Sequence, residues 1–239
     1  MRRWTPLVSI TVLSISLPVT AGAFDHGPFD RIVREHVKKG RVDYRAIKAG
    51  AMGELDRYVD ALGKGRVEGM SREQQLAFYL NAYNANVIKA VVDRYPVASV
   101  MKVKGFFDRM KIRVAGRALT LNELENKVIR KRFAEPRIHF ALVCAARSCP
   151  PLPSRAFSGK RLDRDLERLT RAFINSPAGA RIERGRATVS KLFEWYAEDF
   201  KKAAGSVGAF VARYRERGAE RFRKGPVGFH PYSWVLNDR

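Results

Sequence analysis

The sequence predicts an α+β domain, predominantly helical, with two small β-hairpins. Three observations lead there. Stretches with apolar residues three and four apart recur along the chain, two short alternating stretches turn about small or charged residues, and capping signals precede several of the helical stretches. No internal repeat or low-complexity block interrupts them.

The elements follow in order. FDRIVREHVKKG places Phe29, Ile32, Val33 and Val37 on one helical face, with Gly40 as the residue that closes the helix. VDYRAI reads as a connector, and MGELDRYVDALG as a second helix with Leu55, Val59 and Leu62 inward. Ser71 and Gln74 form a capping box for a long helix that Pro96 ends. KIRVAGRALT alternates around Ala115-Gly116 as a hairpin, and Thr120 with Glu123 caps LNELENKVIRKRF. RIHFALVC is a short apolar run without a decisive period, so strand and helix both stand. RLDRDLERLTRAFIN carries Leu162, Leu166, Leu169 and Phe173 on one side. RIERGRATVS reads as the second hairpin, Ser190 as a cap for KLFEWYAEDF, and VGAFVARYRERG as a basic helix. The tail, VGFHPYSWVLND, is apolar enough to pack back on the domain.

The first 23 residues stand apart. MRRWT, an apolar stretch to Thr20 and Ala21-Gly22-Ala23 have the pattern of a secretory signal peptide cleaved near Ala23, and the stretch is too short for a stable membrane span. The expectation is a periplasmic or secreted protein, not an integral membrane protein, with residues 24–239 as one domain. The formal net charge of +22 favours anionic partners such as envelope surfaces. Lys and Arg are nevertheless spread among Asp and Glu rather than gathered into a stripe, which reads as a solvated surface and speaks against nucleic acid.

Chemistry concentrates in a few segments. Asn81, Tyr83 and Asn84 sit in the otherwise apolar long helix, where buried amides need partners: a neighbouring loop, or a substrate. RIHFALVCAARSCPPL holds both cysteines and His139. Cys149 precedes Pro150, which keeps it out of a helix interior but allows it to cap a short one, where a thiol is acidified. A catalytic reading makes Cys149 the nucleophile, His139 its base and Glu125 the group that orients the imidazole. A disulfide reading pairs Cys144 with Cys149, stabilising the fold by about 2 kcal/mol through a short loop. A metal reading through His139, Cys144 and Cys149 lacks a fourth ligand with knuckle spacing, and His26, His36 and His230 gain no support from spacing, so no metal and no cofactor is assigned. SKLFEWYAEDF and HPYSWVLND set Trp195 beside Tyr196 and Trp234 near Asn237, either as core or as stacking platforms.

Together NAYNANVIKAVVDRYP, LTLNELENKVIRKRF, RIHFALVCAARSCPPL, VSKLFEWYAEDF and YSWVLND resemble, in that order, the domain of unknown function numbered 547, from about Phe24 to the C-terminus. The resemblance implies that Asn81, Tyr83, Asn84, Glu125, His139, Cys149, Trp195, Tyr196, Trp234 and Asn237 stand at positions the family's pattern specifies. Asn126 departs from it, since many members have histidine there, which argues against a catalytic duty for position 126. Cys144 is also common in the family, so bridge and free thiol both remain. The residue set is similar in kind to thiol hydrolases and acyl transferases, by analogy of parts. The leading expectation is such an enzyme acting on peptide or cell-envelope substrates, with Asn81 and Asn84 as polar donors. The alternative is a non-catalytic binding or scaffolding module with a Cys144–Cys149 disulfide.

Overall fold

A computed structural model describes residues 23–239. The signal peptide expected over residues 1–23 therefore lies outside the described residues except for Ala23. The chain is mostly helical with small sheets, the predicted α+β class. Helix α1 (Gly27–His36) leads into a hairpin of β1 (Val37–Lys38) and β2 (Arg41–Val42). A short α2 (Tyr44–Ala46) and a π-helical stretch (Ile47–Ala51) join it to α3 (Met52–Lys64).

The long helix α4 (Arg72–Arg94) starts at the capping box: Ser71 Oγ accepts from the Gln74 N–H, and Gln74 Oε1 accepts from the Ser71 N–H. Almost every residue from Leu76 to Val92 is buried, on all sides of the helix. A helix apolar all round belongs in the middle of a core, and the other elements wrap this one. Hairpin β3 (Ile112–Val114) and β4 (Arg117–Leu119) follows. The second capping box, Thr120 with Glu123, opens α5 (Leu121–Glu123), which continues through a π-helical stretch (Leu124–Arg130) into α6 (Lys131–Phe133).

The segment left open by its sequence is neither strand nor α-helix. Residues Pro136–Phe140 form a 3-10 turn, and the chain then runs irregularly through both cysteines. Pro136 sets the φ of the first turn residue, and Pro150, Pro151 and Pro153 remove the N–H groups a longer helix would need. Helix α7 (Leu162–Ile174) buries its predicted leucine face. Then β5 (Ala180–Glu183) and β6 (Arg186–Ser190) form a hairpin, α8 (Leu192–Trp195) and α9 (Ala197–Ala204) break at Tyr196, and α10 (Val207–Tyr214) and α11 (Ala219–Lys224) precede β7 (Val227–His230).

Three details depart from the sequence reading. Gly40 does not close α1: the helix stops at His36, and Lys39 (φ 51°) with Gly40 (φ 78°) makes a two-residue turn between Lys38 and Arg41. Two successive positive φ values define the turn that matches strand twist. The same geometry recurs at Ala115-Gly116 and Arg184-Gly185, so the described chain has three hairpins rather than two. Finally, β7 adds to β6 in parallel, extending the last hairpin to a three-stranded sheet. Among the described residues no helix is long and apolar enough to cross a membrane.

Candidate functional site

The tail builds one wall of the site. Beyond β7 it lies across the cysteine loop: the Arg147 N–H donates to Val235 O at 2.8 Å, and the Asn237 N–H to Ala145 O at 2.9 Å. Tyr44 Oη donates to Asn237 Oδ1 at 2.7 Å, and the Val42 N–H to Asn237 O at 3.1 Å. These bonds hold Tyr232 and Trp234 over the segment that carries Cys144 and Cys149.

Beneath them is a cavity of about 240 Å³. Tyr83 from α4, Glu125 from the π-helical stretch, His139 from the 3-10 turn, both cysteines, Trp195, Tyr196, Tyr232 and Trp234 line it. Seven site residues expected from the sequence, Cys149, His139, Glu125, Tyr83, Trp195, Tyr196 and Trp234, thus meet in one place. The three asparagines do not. Asn81 donates to Phe157 O and accepts from the Phe157 N–H, both at 2.9 Å, and Asn84 does the same with Ala141 O and the Val143 N–H, also at 2.9 Å. Asn237 is spent on Tyr44 and on backbone. Asn81 and Asn84 fix loops to the central helix, Asn237 ties the tail to Tyr44 and to the cysteine loop, and none of the three lines the cavity.

His139 is 2% exposed. Its Nε2 lies 2.8 Å from Asp199 Oδ2. The orienting carboxylate is therefore Asp199 of α9, not Glu125. Arg130 clamps Asp199 at two points, Nε to Oδ2 at 2.8 Å and Nη2 to Oδ1 at 2.9 Å, the strong forked geometry of this pair. Asn126 in turn accepts from Arg130 Nη1 at 2.6 Å, a positioning role at the place where the sequence departs from the family pattern. Tyr196 stacks on the imidazole with centroids 3.8 Å apart, and Arg130 lies over the outer face of this Tyr ring at 5.1 Å.

The electrostatics follow from burial. Desolvation lowers the His139 pKa against the raising pull of Asp199, so the ring is neutral at pH 7. The hydrogen bond from His139, and then Arg130, holds the Asp199 carboxyl well below the usual carboxylate range. An ionised carboxylate only accepts, which puts the imidazole proton on Nε2. Nδ1 keeps its lone pair, and this buried nitrogen has no hydrogen-bond partner. Burial, and next the charge of Glu125, pushes the phenols of Tyr83 and Tyr196 far up, and burial raises Tyr232.

Cys144 and Cys149 are joined in a disulfide, and among the described residues no cysteine is free. The Cys144 N–H points at Cys149 Sγ at 3.0 Å, and Tyr232 Oη lies 3.2 Å from Cys144 Sγ. No helix begins at Pro150, so no helix dipole acts on Cys149. Among the described residues no group of three or more His, Cys, Asp or Glu side chains is placed to hold a metal ion.

Residues 67–174 match the family model described as "Protein of unknown function, DUF547". The chain carries a DUF547 region. It spans the long helix, the π-helical stretch, the 3-10 turn, the bridge and α7, and it contributes Tyr83, Glu125, His139 and Cys149 to the cavity. The match ends at Ile174, so Trp195, Tyr196, Tyr232 and Trp234 complete the cavity, and Asp199 holds His139, from outside the DUF547 region. No curated protein and no solved structure matches the chain. Asp199 and Arg130 escaped the sequence reading as site residues. Asp199 did stand three residues after Tyr196 in a segment already singled out for its aromatics, and Arg130 one helical turn beyond Asn126.

Proposed function

We propose that the cavity is the active site of a thiol-dependent hydrolase or acyl transferase acting on peptide or cell-envelope substrates, with the Cys144–Cys149 bridge as its resting state. The observation that carries this reading is a buried, neutral imidazole with a free Nδ1 lone pair lining the same cavity as the Cys149 sulfur. Two electrons and two protons from an external dithiol open the bridge. His139 Nδ1 then takes the Cys149 proton, and the Cys144 N–H, already aimed at that sulfur, stabilises the thiolate. The thiolate adds to a carbonyl carbon, and His139 returns the proton to the departing amine or alcohol as the acyl-enzyme forms. Water, or a second nucleophile, deprotonated by His139, breaks the thioester and restores the thiol. Asp199 and Arg130 hold the imidazole in the required tautomer throughout. The leader pattern at residues 1–23 supports an exported protein, where reduction depends on a dedicated thiol pathway.

The test is alkylation of the folded, mildly reduced full-length chain followed over a pH series by mass spectrometry. Cys149 is expected to react faster than Cys144, with its inflection below the ordinary cysteine value of about 8.5. His139→Ala should abolish that advantage, and Asp199→Asn should reduce it about tenfold or more by freeing the wrong tautomer. Equal reactivity of the two cysteines, or indifference to His139→Ala, overturns the enzyme reading. The closed bridge itself favours a second one, a binding module whose disulfide only shapes the cavity wall.

A further inference from the structure

The same cavity has a chemical character that thiol chemistry does not use. Among the described residues that line it, Glu125 is the one carboxylate, no Lys or Arg is present, and burial lowers the pKa of His139. Glu125 is 5% exposed and, among the described residues, forms no salt bridge; Arg130 beside it is committed to Asp199 at two points. A buried carboxylate without a counter-charge is costly. In a chain of net charge +22, where a stray anion site would be unsurprising, this pocket has the opposite sign.

Its walls are aromatic. Trp195, Tyr232 and Trp234 form a triangle with centroid separations of 4.8, 4.9 and 5.7 Å, and Trp195 stands 45% exposed at the mouth. Phe107 lies against Trp234, with Tyr83 and Tyr196 deeper, on the side of Glu125. Ring faces carry negative potential and attract cations. The kind of cation follows from what the walls lack. A primary ammonium or a guanidinium brings three to five N–H donors that need acceptors, and beside the carboxylate these walls offer few: phenol hydroxyls and the exposed Asn122 among rings, sulfurs and leucines. An alkylated ammonium has no N–H to satisfy, is wrapped in methyl groups that match an apolar wall, and keeps its charge for the rings and Glu125. A volume of about 240 Å³, below the roughly 300–1,000 Å³ of sites for drug-sized ligands, suits a headgroup.

We propose that this cavity binds a quaternary ammonium group, with Trp195, Tyr232 and Trp234 as one aromatic wall and Glu125 as its counter-charge. The proposal rests on the cavity being a ligand site and is independent of Cys149 reactivity. Free solute and lipid headgroup are two sources of one chemistry.

The experiment titrates choline, and its uncharged carbon isostere 3,3-dimethylbutan-1-ol, into the oxidised full-length chain, read by calorimetry and tryptophan fluorescence. With the bridge closed no thiolate exists, so binding here and failure of the alkylation test are separate outcomes. Choline is expected to bind about tenfold or more tighter than the isostere. Glu125→Gln should remove most of that preference while the isostere still binds, and Trp195→Ala should weaken both. No choline binding, or equal binding of the isostere to the unaltered chain, overturns the proposal without recourse to any variant. Sedimentation with phosphatidylcholine and phosphatidylglycerol vesicles at about 0.5 M salt, where surface attraction is screened, separates the sources. Capture by phosphatidylcholine assigns the headgroup, and choline binding without capture assigns a free solute.

Discussion

Asn84 holds both ends of one turn, giving its amide N–H to Ala141 and receiving the N–H of Val143, and Asn81 does the same for Phe157. Asn86, also buried in α4, only bonds back to Ala82 O within its own helix. Their substitutions should therefore differ. Asn84→Ala strands a buried carbonyl and a buried N–H together and is expected to cost about 2–4 kcal/mol, whereas Asn86→Ala, whose lost acceptor still has its helical donor, should cost about 1 kcal/mol or less. Urea denaturation of the two variants checks this, and equal losses would contradict it. The sequence established that such amides need partners, because asparagine inside an apolar helix is costly. It could not say whether the partner was a loop or a ligand, since that depends on segments 57 and 76 residues away. The identity of the carboxylate behind His139 was hidden for the same reason: Asp199 is 60 positions distant, and sequence spacing gives no weight to one remote acid over another.

Short elements position the site more than long ones do. The β1–β2 turn packs against the Cys-Pro-Pro segment: a Cβ at Gly40 would collide with Pro151 Cβ and lie 2.6 Å from its Cα. Its φ of +78° is one that other residues adopt only with strain. Gly40→Ala is therefore expected to destabilise by about 1–3 kcal/mol and to shift the Cys149 turn. The readout beyond stability is faster reduction of the bridge by dithiothreitol; an unchanged reduction rate would mean that the turn does not brace the cysteine loop. Gly116 lies in the same kind of turn with open space around it, which makes Gly116→Ala a control for strain alone. Both capping boxes and both predicted hairpins were readable because each is encoded within four to ten neighbouring residues. KKGR, a third hairpin turn of the same pattern, was absorbed into the end of α1, since Val37 kept the helical spacing of Phe29 and Val33. RIHFALVC resisted because its backbone is shaped by Asn84 and by the tail, neither of them local.

At the scale of the whole molecule one contiguous core surrounds α4, and the strongly basic surface is laced with exposed ion pairs, as its mixed charge pattern suggested. Such pairs contribute little individually, so the response of the fold to pH is set by its buried groups. Burial is the largest cause of a lowered pKa at His26, His139 and His230, and His26, hydrogen-bonded to Tyr58 at 2.7 Å, falls to about 4. In the unfolded chain each titrates near the ordinary 6.5. Below that pH the unfolded state binds protons that the folded state refuses, so stability is full above about 6.5 and declines as pH falls toward the folded values. A shift of this size at His26 corresponds to about 3 kcal/mol once the pH is below 4. Asp199 and Glu123, whose carboxyls are held low by His139 and by Lys111 respectively, act in the same direction but only below about pH 5, where unfolded carboxylates begin to protonate. The histidines thus dominate the window between about 6.5 and 5. Unfolding by urea at about pH 7.5 and pH 5 should show a lower midpoint at the acid value, and His26→Gln should flatten that dependence by about one proton. A midpoint constant across the window would mean that these rings take up protons without disturbing the core, and the neutral imidazole that defines the cavity would lose its physical basis.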